Sequence, residues 1–187
     1  RIEFENEDLE DIQINFPLLI EYTTPRISRS GLTRYKGENN TYMTRAIAPG
    51  HQFVEKTILM KGRFINQSDL NKKAKHAVIG RLVAKDLFKN EDPLGKYIDI
   101  GSSVYKIVGV FQDDGGDREE RYIYIPYTTR QLLEKGNDKV DQIIVTFPKE
   151  LGHVGALALE SSLKKYFKDK KSIDPQDPNG IYFQNLT

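Results

Sequence analysis

Apolar positions in this chain fall in short clusters separated by polar, glycine- or proline-bearing turns, and one long stretch at helical spacing comes near the C-terminal end. Leu9 and Ile12, three apart on the acidic background of Glu5–Asn15, predict a short amphipathic helix that Phe16-Pro17 ends. Residues 18–24, partly β-branched and aromatic, read as a strand. Arg26–Tyr35 and Asn40–Ile47 read as two further extended stretches, joined by the hairpin chemistry of Lys36-Gly37-Glu38-Asn39-Asn40. Gly62 through Lys75 is polar, with Ser68 and Asp69 able to start a turn.

Ala77-Val78-Ile79 predicts a short buried strand that Gly80 turns into a helix over Arg81–Phe88. Val83, Ala84, Leu87 and Phe88 share one face of that helix. It stops before Asp92-Pro93-Leu94-Gly95, where proline fixes φ and glycine permits a reversal. Tyr97–Ile100 and Val104–Phe111 form a hairpin around Gly101-Ser102-Ser103. Asp113–Arg121 reads as a charged, mobile loop, and Tyr122–Ile125 as a strand closed by Pro126. Thr128–Lys135 is expected to be helical, Val140–Phe147 a strand, and Leu151–Lys170 the longest helix. Ala156, Leu159, Leu163 and Tyr166 or Phe167 form its core stripe, and Ile181–Phe183 is a last short strand. The pattern predicts an α+β architecture in which a hairpin-rich middle is inserted between two strand–helix segments.

Composition narrows the class of function. The 187 residues include 28 basic and 27 acidic ones, a net charge of +1. That balance lacks the basic excess of a nucleic-acid binder. Cysteine is absent, which removes disulfides, thiolate metal sites and cysteine nucleophiles, and fits a segment exposed to an oxidising compartment. No apolar run approaches the ~18 residues needed to span a bilayer. The chain begins at Arg1 and reads as a piece of something longer.

Candidate chemistry is sparse. His51, His76 and His153 are scattered without metal-ligand spacing and read as surface or packing histidines. The Asp113-Asp114-Gly115-Gly116-Asp117 loop lacks the alternating ligands and distal glutamate of a calcium loop. Gly101-Ser102-Ser103 joins two strands, so it cannot be a strand-to-helix nucleophile elbow. The basic run from Lys164 to Lys171 reads as a solvated helix end that complements the macrodipole. No catalytic, cofactor or metal residue is assigned.

One stretch carries more. Gly62-Arg63-Phe64, Ala77-Val78-Ile79-Gly80, Leu87-Phe88, Asp92-Pro93-Leu94-Gly95-Lys96 and Tyr105-x-Ile107-Val108-Gly109-Val110 occur in one order and spacing. This pattern resembles the periplasmic core domain of MacB-like ABC transporter permeases, a family that also takes in FtsX-like and LolC/LolE-like proteins. Tyr122-x-Tyr124-Ile125-Pro126 is similar to the family's return strand. The motif set Gly62, Arg63, Phe64, Gly80, Leu87, Phe88, Asp92, Pro93, Gly95, Val108 and Gly109 is read as structural: glycines for tight turns, Pro93 to stop a helix, Leu87 and Phe88 to fasten it.

The resemblance implies an extracytoplasmic domain looped between transmembrane helices of a bacterial inner-membrane permease. It also implies a Porter-like subdomain from residues 1–60 and 114–187 and a Sabre-like insert at 61–113. The expected partners are a cytoplasmic ABC ATPase subunit or domain, a second permease copy, and a membrane-fusion protein or periplasmic hydrolase. The expected activity is non-enzymatic: coupling ATPase cycles to export or mechanotransmission. The alternative is an FtsX-like scaffold that recruits and activates a cell-wall hydrolase.

Overall fold

The structure is a computed structural model that describes residues 3–55, 57–116, 118–171 and 181–185. In chain order its elements are β1 (Phe4–Glu5), α1 (Asn6–Asn15), β2 (Tyr22–Tyr35), β3 (Glu38–Ile47), α2 (His51–Val54), β4 (Thr57–Gly62), α3 (Gln67–Lys72), β5 (His76–Gly80), α4 (Arg81–Phe88), β6 (Tyr97–Ile100), β7 (Ser103–Asp113), β8 (Tyr122–Pro126), α5 (Tyr127–Leu133), β9 (Lys139–Val140), β10 (Gln142–Phe147), α6 (Gly152–Lys171) and β11 (Ile181–Asn185). They form two units, residues 1–25 with 138–187, and residues 26–137.

In the first unit β10 pairs in parallel with β11, and β1 pairs antiparallel with β9. Leu9 and Ile12 of α1 are buried, as are Ala156, Leu159, Leu163 and Phe167 of α6; Tyr166 is only half-buried, so Phe167 completes the stripe. Phe4 meets the edge of the Phe167 ring at 5.7 Å. The apolar run Ile143-Ile144-Val145 is buried on both faces, as expected of a covered strand. The basic run at the end of α6 is not simply solvated. Lys170 donates to Asp8 Oδ1 at 2.7 Å and also to Asp11, and Lys171 lies 2.9 Å from Asp8 Oδ2. Burial alone would raise the Asp8 carboxyl, but these lysines and the Glu5 amide hold it below the ordinary carboxylate range.

In the second unit the sheet order is β2-β3-β8-β5-β7-β4, with β6 beside β2 and β7. β2 and β3 form a long antiparallel hairpin, from Arg26↔Ile47 to Tyr35↔Glu38. Its turn is Lys36-Gly37, both with positive φ, the pair of conformations a two-residue hairpin turn needs. β8 lies between β3, to which it is parallel, and β5, to which it is antiparallel, and all five of its residues are buried. Val83, Leu87 and Phe88 fasten α4, with Phe88 against the Tyr35 ring at 4.1 Å. Phe64, Ile65, Leu70, Val78, Phe111, Tyr122 and Tyr124 share one core cluster.

The α+β architecture expected from the pattern is the one present, with several local differences. Residues 18–21 are not strand. Leu19 and Ile20 amides fold back onto the Phe16 carbonyl, and Leu18 is 87% exposed, so nothing is there for a strand to pack against. The polar stretch after Gly62 holds a full helix, α3. The Asn66 side chain accepts from the Asp69 amide and the Asp69 side chain from the Asn66 amide, a reciprocal cap that overrides weak propensity. The Asp113–Arg121 segment is anchored near its end, where Glu120 is buried in a 3-10 turn. The insert expected at 61–113 falls inside the larger unit 26–137, because β3 pairs with β8 and thereby draws residues on both sides of 61–113 into the same sheet.

Candidate functional site

Four of the motif residues, Gly62, Arg63, Val108 and Gly109, meet at one backbone crossing. Gly62 ends β4 with φ +69, and Arg63 donates its amide to the Val108 carbonyl at 2.9 Å. A Cβ at Gly62 would lie 2.1 Å from Val108 O, and one at Gly109 would lie 2.1 Å from Arg63 O. Main chain therefore rests on main chain here, with no room for a side chain. Gly80 has ordinary φ and caps α4; its requirement for glycine comes from Glu120 O, 2.0 Å from where a Cβ would be. Phe64 packs on Tyr124 with ring centroids 5.6 Å apart. In the turn after α4, Asp92 accepts from the Leu94 amide, and Gly95 donates to Ile107 O at 2.9 Å, which ties Asp92-Pro93-Leu94-Gly95 to β7.

One ion pair braces this crossing and a second lies beside Gly80. Asp69, with its side chain 3% exposed, accepts from Arg63 Nη1 at 2.7 Å, from Arg63 Nη2 at 3.2 Å and from His76 Nδ1 at 2.7 Å. Burial would raise its carboxyl, yet Arg63, the Asn66 amide and His76 together hold it below the usual range. Glu120 accepts from Arg81 Nη2 at 2.8 Å and Nε at 3.1 Å and from the Asp113 amide. Arg81 is the main reason its carboxyl is lowered, against the opposing effect of burial. These groups are mutually saturated and serve to hold shape.

A second polar cluster lies within the same unit. Arg26 Nη2 donates to Glu55 Oε1 at 2.5 Å and to His51 Nε2 at 2.8 Å. Arginine can only donate, so His51 Nε2 accepts and the neutral ring carries its proton on Nδ1. Burial, followed by the charges of Arg26 and Arg45, pushes the His51 pKa well down. Arg45 lies over the Tyr122 ring, 4.3 Å from its centroid, and its Nη1 is 3.8 Å from Glu55 Oε1, close enough for attraction but not for a hydrogen bond. The His51 and Tyr124 rings are 5.2 Å apart. Sequence reading passed over this cluster, although the period-two spacing of Met43, Arg45 and Ile47 already put a guanidinium on the apolar side of a strand. Of the other histidines, His76 sits on Asp69 and His153 is exposed on α6.

Among the described residues no three His, Cys, Asp or Glu side chains are grouped to hold a metal, and no helix is long and apolar enough to cross a membrane. Residues 1–151 match the family described as MacB-like periplasmic core domain. The macrolide export ATP-binding/permease protein MacB of Mannheimia succiniciproducens is 30% identical over 151 residues, covering 79% of this chain and 23% of its own length. Its counterpart in Vibrio parahaemolyticus is 31% identical over 152 residues, covering 80% and 23%. The chain thus spans about a quarter of the length of these relatives. Among solved structures, the periplasmic region of MacB from Actinobacillus actinomycetemcomitans superposes with a TM-score of 0.80 at 23% identity, covering 91% of this chain and 75% of that one. The extracellular domain of YknZ, a noncanonic ABC-type transporter from Gram-positive bacteria, gives 0.74 at 19% identity, covering 92% and 87%. With the family matched over residues 1–151 and its fold shared, the chain belongs to the MacB-like periplasmic core domains.

Proposed function

We propose that this chain is the extracytoplasmic part of an ABC transporter permease, where it transmits the motion of a cytoplasmic ATPase to work done in the envelope without catalysing a reaction itself. The observation that carries this reading is the family match over residues 1–151. The first and last strands, β1 and β11, both belong to the unit built from residues 1–25 and 138–187, which suits a segment tethered to a membrane at both ends. In this reading the Porter-like part takes in residues 1–60 and 114–187, and the Sabre-like insert is 61–113, within the 26–137 unit. The motif glycines suit a transmitting body: where main chain touches main chain, no flexible side chain intervenes to absorb a displacement.

The test uses the full-length protein with its ATPase in vesicles. Replacing residues 26–137 by a short flexible linker should leave ATP hydrolysis running and abolish ATP-driven export or hydrolase activation. Unchanged envelope work in that variant would overturn the reading. The 187-residue chain should show no micromolar ATP binding by calorimetry, since the nucleotide belongs to the ATPase. Comparing export with hydrolase activation in the intact protein distinguishes a transporter from a scaffold.

A further inference from the structure

The Arg26–Arg45–Glu55 cluster is short of acceptors. Among the described residues, Arg45 Nε, Arg45 Nη1, His51 Nδ1 and Tyr124 Oη are buried and have no hydrogen-bonding partner. His51 and Tyr124 are fully buried, and the side chains of Arg26 and Arg45 are 13% and 16% exposed. The register places these groups together: Arg26 pairs with Ile47 and Arg45 with Tyr124, so all point to one face of the sheet, where α2 brings His51 and Glu55 over them. Every one of the unpartnered atoms carries a proton to donate.

Charge is unbalanced in the same direction. Two guanidinium groups share the single carboxylate of Glu55. Burial first, and then the nearby charge of Arg45, lower the Arg26 pKa, with Glu55 opposing both. Asp113, whose Oδ2 is also unpartnered, has its carboxyl pushed up by burial first and also by Glu119, Glu55 and Glu120, with the Gly115 amide opposing. Water could satisfy the hydrogen bonds, but it would leave the charge uncompensated in a region that screens poorly.

We propose that Arg45, the Nδ1–H of His51 and the hydroxyl of Tyr124, backed by Arg26, form a receptor for one small oxyanion of the phosphate or carboxylate class. The oxyanion sits inside the 26–137 unit, supplies the missing acceptors and counter-charge, and ties α2 to the sheet. The site has no part in the proposed transmission of ATPase motion and stands or falls separately from it.

The experiment is thermal unfolding and calorimetric titration of the 187-residue chain with inorganic phosphate, and in a second arm with acetate, ionic strength being held constant with sodium chloride. A saturable rise in midpoint and a matching binding isotherm are expected, and the tighter of the two anions defines the class. Tyr124→Phe keeps the ring packing and should weaken binding about tenfold, the loss of one charge-assisted hydrogen bond. Arg45→Gln should abolish saturation, and Arg45→Lys should restore part of it. Two results overturn the proposal: neither anion saturating the unaltered chain, or Tyr124→Phe and Arg45→Gln responding as it does.

Discussion

Gly109 lies so close to Arg63 that a Cβ at position 109 would sit 2.1 Å from the Arg63 carbonyl oxygen. Because the obstacle is backbone, already fixed by the Arg63 amide bonding to Val108 O, it cannot rotate aside as a side chain could. Gly109→Ala should therefore destabilise the chain by about 3 kcal/mol, the upper end of ordinary overpacking costs. Gly101→Ala is the contrast: its site has positive φ but open space, so about 1 kcal/mol is expected from conformation alone. Urea unfolding midpoints of the two variants check the difference, and equal losses would refute it.

Asp69 should contribute to the acid limb of stability. Its folded pKa is depressed below the ordinary aspartate value of 3.8, so its contribution is complete above that value and is lost as pH falls through the folded pKa. Asp69→Asn should cost about 3 kcal/mol at neutral pH, since it removes the charge that Arg63 and His76 bond, and should flatten the loss below about pH 4. Urea titrations from neutral to acid pH measure both effects.

His51 acts in the same direction, at higher pH. Its folded pKa is well below 6.5, so below that pH the unfolded chain takes up a proton that the folded chain refuses. Stability should fall with acidification between about pH 6.5 and 5, by at most about 1.4 kcal/mol per unit. His51→Gln, which retains an acceptor for Arg26, should remove this slope; a slope that survives the substitution would assign it elsewhere.

In the other unit, Lys170→Met should cost about 1–2 kcal/mol, because buried Asp8 would keep only Lys171 and the Glu5 amide. The Lys170 ammonium is held in its charged form: burial works against it, and Asp11 and Asp8 outweigh burial. Its contribution is therefore present throughout the neutral range and fades only above the ordinary lysine pKa of 10.5. Adding Asp8→Asn to Lys170→Met should recover part of the loss. Strict additivity in this double-mutant cycle would mean that the pair is not coupled.

The elements that could be read from the sequence were those with local punctuation. Lys36-Gly37 announced a hairpin, and Gly80 and Asp92-Pro93-Leu94-Gly95 bracketed α4, because turn chemistry depends on residues close in the chain. The short elements α2 and β4 were passed over although Pro49-Gly50 precedes the one and Gly62 ends the other, because β4 takes its form from antiparallel pairing with β7, far along the chain. The polar cluster stayed hidden for a related reason. Arg26 and Arg45 lie on strands nearly twenty positions apart, Glu55 lies beyond a short helix, and Tyr124 arrives from β8. Only the folded register brings them together. The glycines of the motif were legible as turns, whereas the close approach of Glu120 O to Gly80 was not.

The position of β8 sets an order on folding. In the 26–137 unit this strand separates β3 from β5, yet it comes after both in the chain. Until residues 122–126 have been made and delivered, β3 and β5 each present an open edge of unpaired amides and carbonyls, the kind of surface on which chains aggregate. The β2–β3 hairpin can form early, but the sheet can close only when its central strand is inserted late, a slow, long-range step. A chain stalled short of Pro126 would therefore hold two half-sheets awaiting the same strand, and quality control would encounter it as an unfinished domain.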